Sequence, residues 1–151
     1  MQWNAAQLAL DRLIERSFPE LRGSTIELKP IGLARLFTHF VTSPLSGNVC
    51  ARRDVVETMP EAAARGILAH ELSHAVHFRS LTWWQSCALM VRYVLSPRYR
   101  THIERGADLE TIRRGYGADL LLAKQFLRTR YPWRTRHHRH YLTEDEVRER
   151  L

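Results

Sequence analysis

At 151 residues and 44% hydrophobic content, the chain is long enough for one domain whose core needs neither disulfides nor oligomerisation. Its formal charge of +7 comes almost wholly from arginine, since Lys29 and Lys124 are its only lysines. Such a charge permits contact with nucleic acid or anionic lipid without demonstrating either. Neither Cys50 nor Cys87 has the spacing of a zinc or redox pair, and both read as reduced, buried small side chains.

Taken in order, residues 3–18 carry Trp3, Ala6, Leu10, Leu13 and Ile14 at helical spacing, with Asp11, Arg12, Glu15 and Arg16 between them. That pattern predicts an amphipathic helix stopped by Pro19 and not a cleavable signal segment. A cytoplasmic location is therefore expected. Residues 25–31, 36–42 and 48–56 are rich in β-branched or aromatic side chains, with Gly32, Ser43-Pro44 and Ser46-Gly47 between them. They predict a small mixed sheet. Arg52-Arg53-Asp54 marks the end of the third run or an exposed edge.

Thr58-Met59-Pro60-Glu61 reads as a capping box with Pro60 in the first turn. Ala62, Ala63, Ala64, Ile67, Leu68, Leu72, Ala75 and Val76 continue it as a mostly apolar helix. On this helix lies His70-Glu71-Leu72-Ser73-His74. Two imidazoles four residues apart stand about 6 Å apart along the axis and about 40° apart around it, so they can grip one metal ion. Glu71, beside the first ligand, can reach a water on that ion as general base. Buried polar groups need partners, and a metal satisfies several together. The competing reading is a helix with surface histidines and a fortuitous glutamate.

Residues 81–95 are the most hydrophobic part of the chain, too short to span a bilayer and interrupted by Gln85 and Arg92. A core helix is expected there. Peripheral membrane contact, suggested by Trp83 and Trp84, is weighed and not favoured. Ser96-Pro97 caps the next helix, which runs through Glu104 and Asp108 to Gly115, and a further helix covers 118–130. The tail 134–151 gathers Arg134, Arg136, His137, His138, Arg139 and His140 before a short helix capped by Thr143.

Catalytic zinc generally has three protein ligands. The zincin pattern with a third histidine six residues after the second fails, because that position holds Ser80. A carboxylate on the later helix is the alternative: Glu104 and Asp108 share one face, and Gly106 between them is expected to allow close approach to the metal helix. A solvated face paired with Arg100, Arg105 or Arg113 is the bland reading.

With His70-Glu71-Leu72-Ser73-His74 followed by Glu104-Arg105-Gly106-Ala107-Asp108, the chain resembles the gluzincins, the thermolysin-like zinc metallopeptidases. Its order of elements is similar to the single-domain minigluzincins. The resemblance implies an α+β, zincin-like fold: a small mixed sheet on a backing helix, a metal helix and a glutamate helix within residues 1–133. It implies zinc on His70, His74 and Glu104, with Asp108 orienting a ligand imidazole and Glu71 as base. Peptide or protein would be the substrate. The polarising residues of thermolysin's second subdomain have no counterpart, which leaves Tyr116, His102 and His77 as candidate oxyanion donors by proximity along the chain. A catalytically silent or latent zinc-binding module is the alternative, as is a nucleic-acid-associated protease. Nucleic acid is not favoured as a partner, because the basic tail has few aromatic platforms, and a monomer is expected.

Overall fold

A computed structural model of the chain describes residues 1–31, 38–132 and 139–151. Helix α1 (Trp3–Ser17) buries Ala6, Leu10, Leu13 and Ile14, the stripe that its spacing predicts. Trp3 is only half-buried, with the Arg53 guanidinium over its ring. A 3₁₀ turn at Pro19–Leu21 then reverses the chain.

Three short strands follow, β1 (Leu28–Pro30), β2 (Phe40–Thr42) and β3 (Val49–Ala51). They form a mixed sheet in the order β1-β3-β2, with β1 parallel and β2 antiparallel to β3. Val49 faces Leu28 on one side and Thr42 on the other. The expected strand over 36–42 lies partly outside the described residues. Of the third run, 48–56, only Val49–Ala51 is strand: it ends at the Arg52-Arg53-Asp54 cluster, one of the two roles expected of that cluster, and turns into α2 (Arg53–Thr58). Val55 and Val56 are both buried, and adjacent strand residues would point to opposite faces.

Helix α3 (Glu61–Arg79) is the centre of the molecule and is buried along most of its length. The capping box expected at its start is absent. Thr58 belongs to α2, where its hydroxyl donates to the carbonyl of Asp54 at 2.8 Å, and Pro60 is the N-cap of α3. Across α3 runs α6 (Gly117–Arg130). The crossing is closest at Gly66, where a Cβ would lie 2.3 Å from the backbone carbon of Asp119. Gly106 has open space around it. The close approach expected of Gly106 therefore belongs to Gly66, on a different helix pair.

Helix α4 (Trp83–Leu95) starts in a Thr82–Gln85 capping box, and α5 (Pro97–Thr111) starts with Ser96 Oγ accepting the Tyr99 N–H. A π turn at Ile112–Tyr116, with Gly115 at φ +88°, joins α5 to α6. The expected core helix at 81–95 is corrected by the structure: α4 packs on α5, and only Ser86 and Leu89 are buried. Among the described residues nothing covers its outer side, and Trp84 and Leu95 are 75% and 74% exposed. Both cysteines are half-buried, not buried as expected. No helix among the described residues is long and apolar enough to cross a membrane.

The basic run from Arg134 to His138 lies outside the described residues. Beyond it, α7 (Glu144–Arg148) starts in the Thr143–Glu146 capping box and packs on α6. Leu142 and Val147 bury themselves with Leu120. The described residues are thus mixed α+β, mostly helical, with a small three-stranded sheet.

Candidate metal centre

The local pitch of α3 stacks His70 over His74, and α5 crosses so that Glu104 faces both. His70 Nε2 and His74 Nε2 are 3.2 Å apart, and Glu104 Oε2 lies 3.3 Å from each. All three side chains are buried. Four ligands arranged tetrahedrally around zinc at about 2.0–2.1 Å sit about 3.3 Å from one another. The three donor atoms therefore form a triangle of the size of one face of that tetrahedron. This buried His-His-Glu group can hold a metal ion.

Asp108, one turn beyond Glu104, has its Oδ1 2.9 Å from His70 Nδ1. The approach is close but off the line of a good hydrogen bond. With a metal bound, this carboxylate would keep the remaining ring proton on Nδ1 and leave Nε2 as the lone-pair donor. Oδ2 of Asp108 accepts from Lys124 Nζ at 2.9 Å and from the Leu142 N–H at 2.8 Å. Burial pushes the Asp108 carboxyl up, but His70 and Lys124 outweigh it and hold the group below its usual range. In the metal-free protein, burial works against a charge on His70, yet Asp108 and Glu104 raise its pKa to about 10. Glu104 is likewise penalised by burial and still held well below the usual carboxylate range by His74 and His70. At neutral pH His70 is thus held as an imidazolium between the two carboxylates, and a cation at Nε2 would take the place of its proton.

Glu71 is buried on the same helix, and Thr42 at the end of β2 fixes it: Thr42 Oγ1 lies 2.8 Å from Glu71 Oε2 and 2.9 Å from its carbonyl oxygen. Two aromatic residues join the site that the sequence did not single out. The Tyr93 hydroxyl of α4 donates to Glu104 Oε1. Tyr141 sets its ring 5.7 Å from that of His70 and 5.0 Å from Lys124 Nζ. Burial and then the Glu104 carboxylate push both phenols up, so they stay protonated. No spacing rule marks Thr42, Tyr93 or Tyr141, because each arrives from another element. Lys124 carried a weak signal as a cation inside an apolar helical run.

Of the other expected residues, His77 and His102 are exposed and neither joins the triangle. His77 is pushed down by its partial burial and by His74 and His102. Tyr116 places its hydroxyl 2.7 Å from Ser17 Oγ and serves the contact with α1.

No protein family matches this chain, and no curated protein or solved structure is significantly similar to it.

Proposed function

We propose that the chain is a zinc-dependent metallopeptidase of the gluzincin kind, with a zincin-like fold. The reading is carried by one observation: His70 Nε2, His74 Nε2 and Glu104 Oε2 form a buried triangle of zinc-ligand size beside Glu71. His70, His74 and Glu104 would hold zinc there, which would supply Lewis acidity towards a peptide carbonyl and activate a water at neutral pH. Thr42 holds Glu71 Oε2, leaving Oε1 to take the water's proton and pass it to the leaving amine. Asp108 keeps His70 in the tautomer that presents Nε2. Tyr93 holds the second oxygen of Glu104, so that Oε2 alone turns towards the histidines. For the developing oxyanion the candidate donors are the exposed His77 and His102 and, by its contact with the His70 ring, Tyr141.

The burial of the triad favours a second reading, a latent or silent zinc-binding module. His70 is 2% and Glu104 3% exposed, and Leu142 donates to the Asp108 that braces His70. One experiment separates the two. Zinc-loaded protein and its Glu71→Gln variant are compared on casein, with zinc content measured for both. The peptidase reading expects equal zinc and loss of cleavage in the variant, whose amide cannot accept the proton. Cleavage by Glu71→Gln at the parent's rate would remove Glu71 as the base, and zinc without cleavage by either protein would leave the module.

A further inference from the structure

The outer face of α4 has no role in the metal centre, and its composition is unusual for a surface. Trp83, Trp84, Met90, Val91, Val94 and Leu95 are between 45% and 75% exposed. At about 100° per residue they fall within an arc of about 140°, opposite the face that buries Ser86 and Leu89. The apolar surface continues from Trp83 across a cavity of about 300 Å³ to Leu45 of the β2–β3 turn, itself 57% exposed. Isolated exposed apolar side chains need no explanation, but a contiguous face marks a contact surface.

Charge decides what that surface meets. Between Leu72 and Ile103 the sequence contains no aspartate or glutamate, while Arg79, Arg92, Arg98 and Arg100 fall within it. Arg92 borders the face, its guanidinium 4.4 Å from the Tyr99 ring, and Arg98 is exposed at the start of α5. A second copy docking face to face would bring like arginines together, with no carboxylate from this stretch to pair them. An anionic lipid surface supplies both missing complements: phosphates for the arginines and an acyl layer for the tryptophans and aliphatic side chains. A helix of 13 residues is about 20 Å long, short for crossing a bilayer but ample for lying in its interface.

We infer that α4 is a peripheral membrane-docking helix, which lies in the interface of an anionic bilayer with Trp83, Trp84, Val91 and Leu95 in the acyl boundary and Arg92 and Arg98 at the phosphates. The inference stands apart from the peptidase reading, since it uses only the outward side chains of α4.

The test is co-sedimentation of the full chain with vesicles of phosphatidylcholine, with and without phosphatidylglycerol. The Val91→Glu and Trp84→Glu variants are run alongside, and circular dichroism and thermal melting confirm their fold. These positions are 56% and 75% exposed, so both variants are expected to melt with the parent. The parent is expected to bind phosphatidylglycerol vesicles, bind phosphatidylcholine alone far less, and lose affinity as salt rises. Each carboxylate placed in the apolar face is expected to weaken binding by about tenfold or more. Three results overturn the inference: no binding to phosphatidylglycerol vesicles at low salt, undiminished binding by folded Val91→Glu, or a parent dimer that Val91→Glu splits without any vesicle binding. The second would assign the attraction to net charge alone, and the third would assign the face to a second copy of the chain.

Discussion

Lys124 holds its ammonium 2.9 Å from Asp108 Oδ2, in a part of the interior where Asp108 itself is fully buried. The pair joins α6 to α5, and through the other oxygen of Asp108 it reaches the ring of His70. Breaking one side of a buried ion pair leaves an uncompensated charge, which costs more than the intact pair contributes. Lys124→Met is therefore expected to lower the unfolding free energy by about 3 kcal/mol. Adding Asp108→Asn should cost less than the sum of the two single changes, because the stranded charge is then gone. Urea unfolding of the four proteins checks this, and simple additivity would show that the two side chains act independently.

Zinc binding should separate Glu104 from Asp108. Glu104 offers a direct donor, whereas Asp108 meets His70 at its far nitrogen. Glu104→Ala is expected to purify with little zinc. Asp108→Asn should retain zinc with affinity reduced by about 10–100-fold. Tyr93→Phe, which removes only the hydroxyl on Glu104 Oε1, should fall between the parent and Glu104→Ala. Competition titration with a zinc chelator ranks them, and the reverse order for Glu104 and Asp108 would exchange their roles.

Two glycines should respond to alanine in opposite directions. A Cβ at Gly66 would meet the Asp119 backbone at 2.3 Å, so α3 and α6 must separate to admit it. Gly66→Ala is expected to destabilise by about 2–3 kcal/mol or more. Gly106 sits in a helix with open space around it. There alanine is expected to stabilise by about 0.5–1 kcal/mol through helix propensity. Thermal melting of the two variants reads both signs directly.

An acid-sensitive contact ties the C-terminal helix down. Arg105 donates to both oxygens of Glu146, at 3.1 and 2.5 Å. This pairing, helped by the Thr143 N–H, lowers the Glu146 pKa from 4.5 to about 2. Because the folded value is the lower one, the contribution is fully present above 4.5 and fades as the pH falls through about 2. Arg105→Gln should be less stable than the parent at neutral pH, with the gap closing in acid and narrowing in high salt because the pair is part-exposed. A gap that stayed constant down to the lowest pH would place the contribution of Arg105 elsewhere.

What could be read without coordinates was what depends on the backbone period. The stripe of α1 follows from a repeat of 3.6, and the stacking of His70 over His74 follows from a spacing of four. The Ser96 and Thr143 caps are legible for the same reason, since their bonds close within three residues. The capping box at Thr58 failed because Thr58 was already spent on the end of α2. The core helix at 81–95 failed because hydrophobicity reports what a helix can bury and not whether another layer exists to bury it.

The sequence by itself therefore determined the pair of imidazoles with Glu71 beside them, and the carboxylates of Glu104 and Asp108 on one helix face. These are consequences of residues one turn apart, where the helix leaves no freedom. Only the tertiary structure decided that Glu104 Oε2 completes a triangle with the two Nε2 atoms. It likewise brought Thr42 to Glu71 and Lys124 and Leu142 to Asp108. Those contacts join residues 16 to 34 positions apart. They are set by which helices cross, and the α3–α6 crossing is set by a glycine, Gly66, that carries no chemistry of its own.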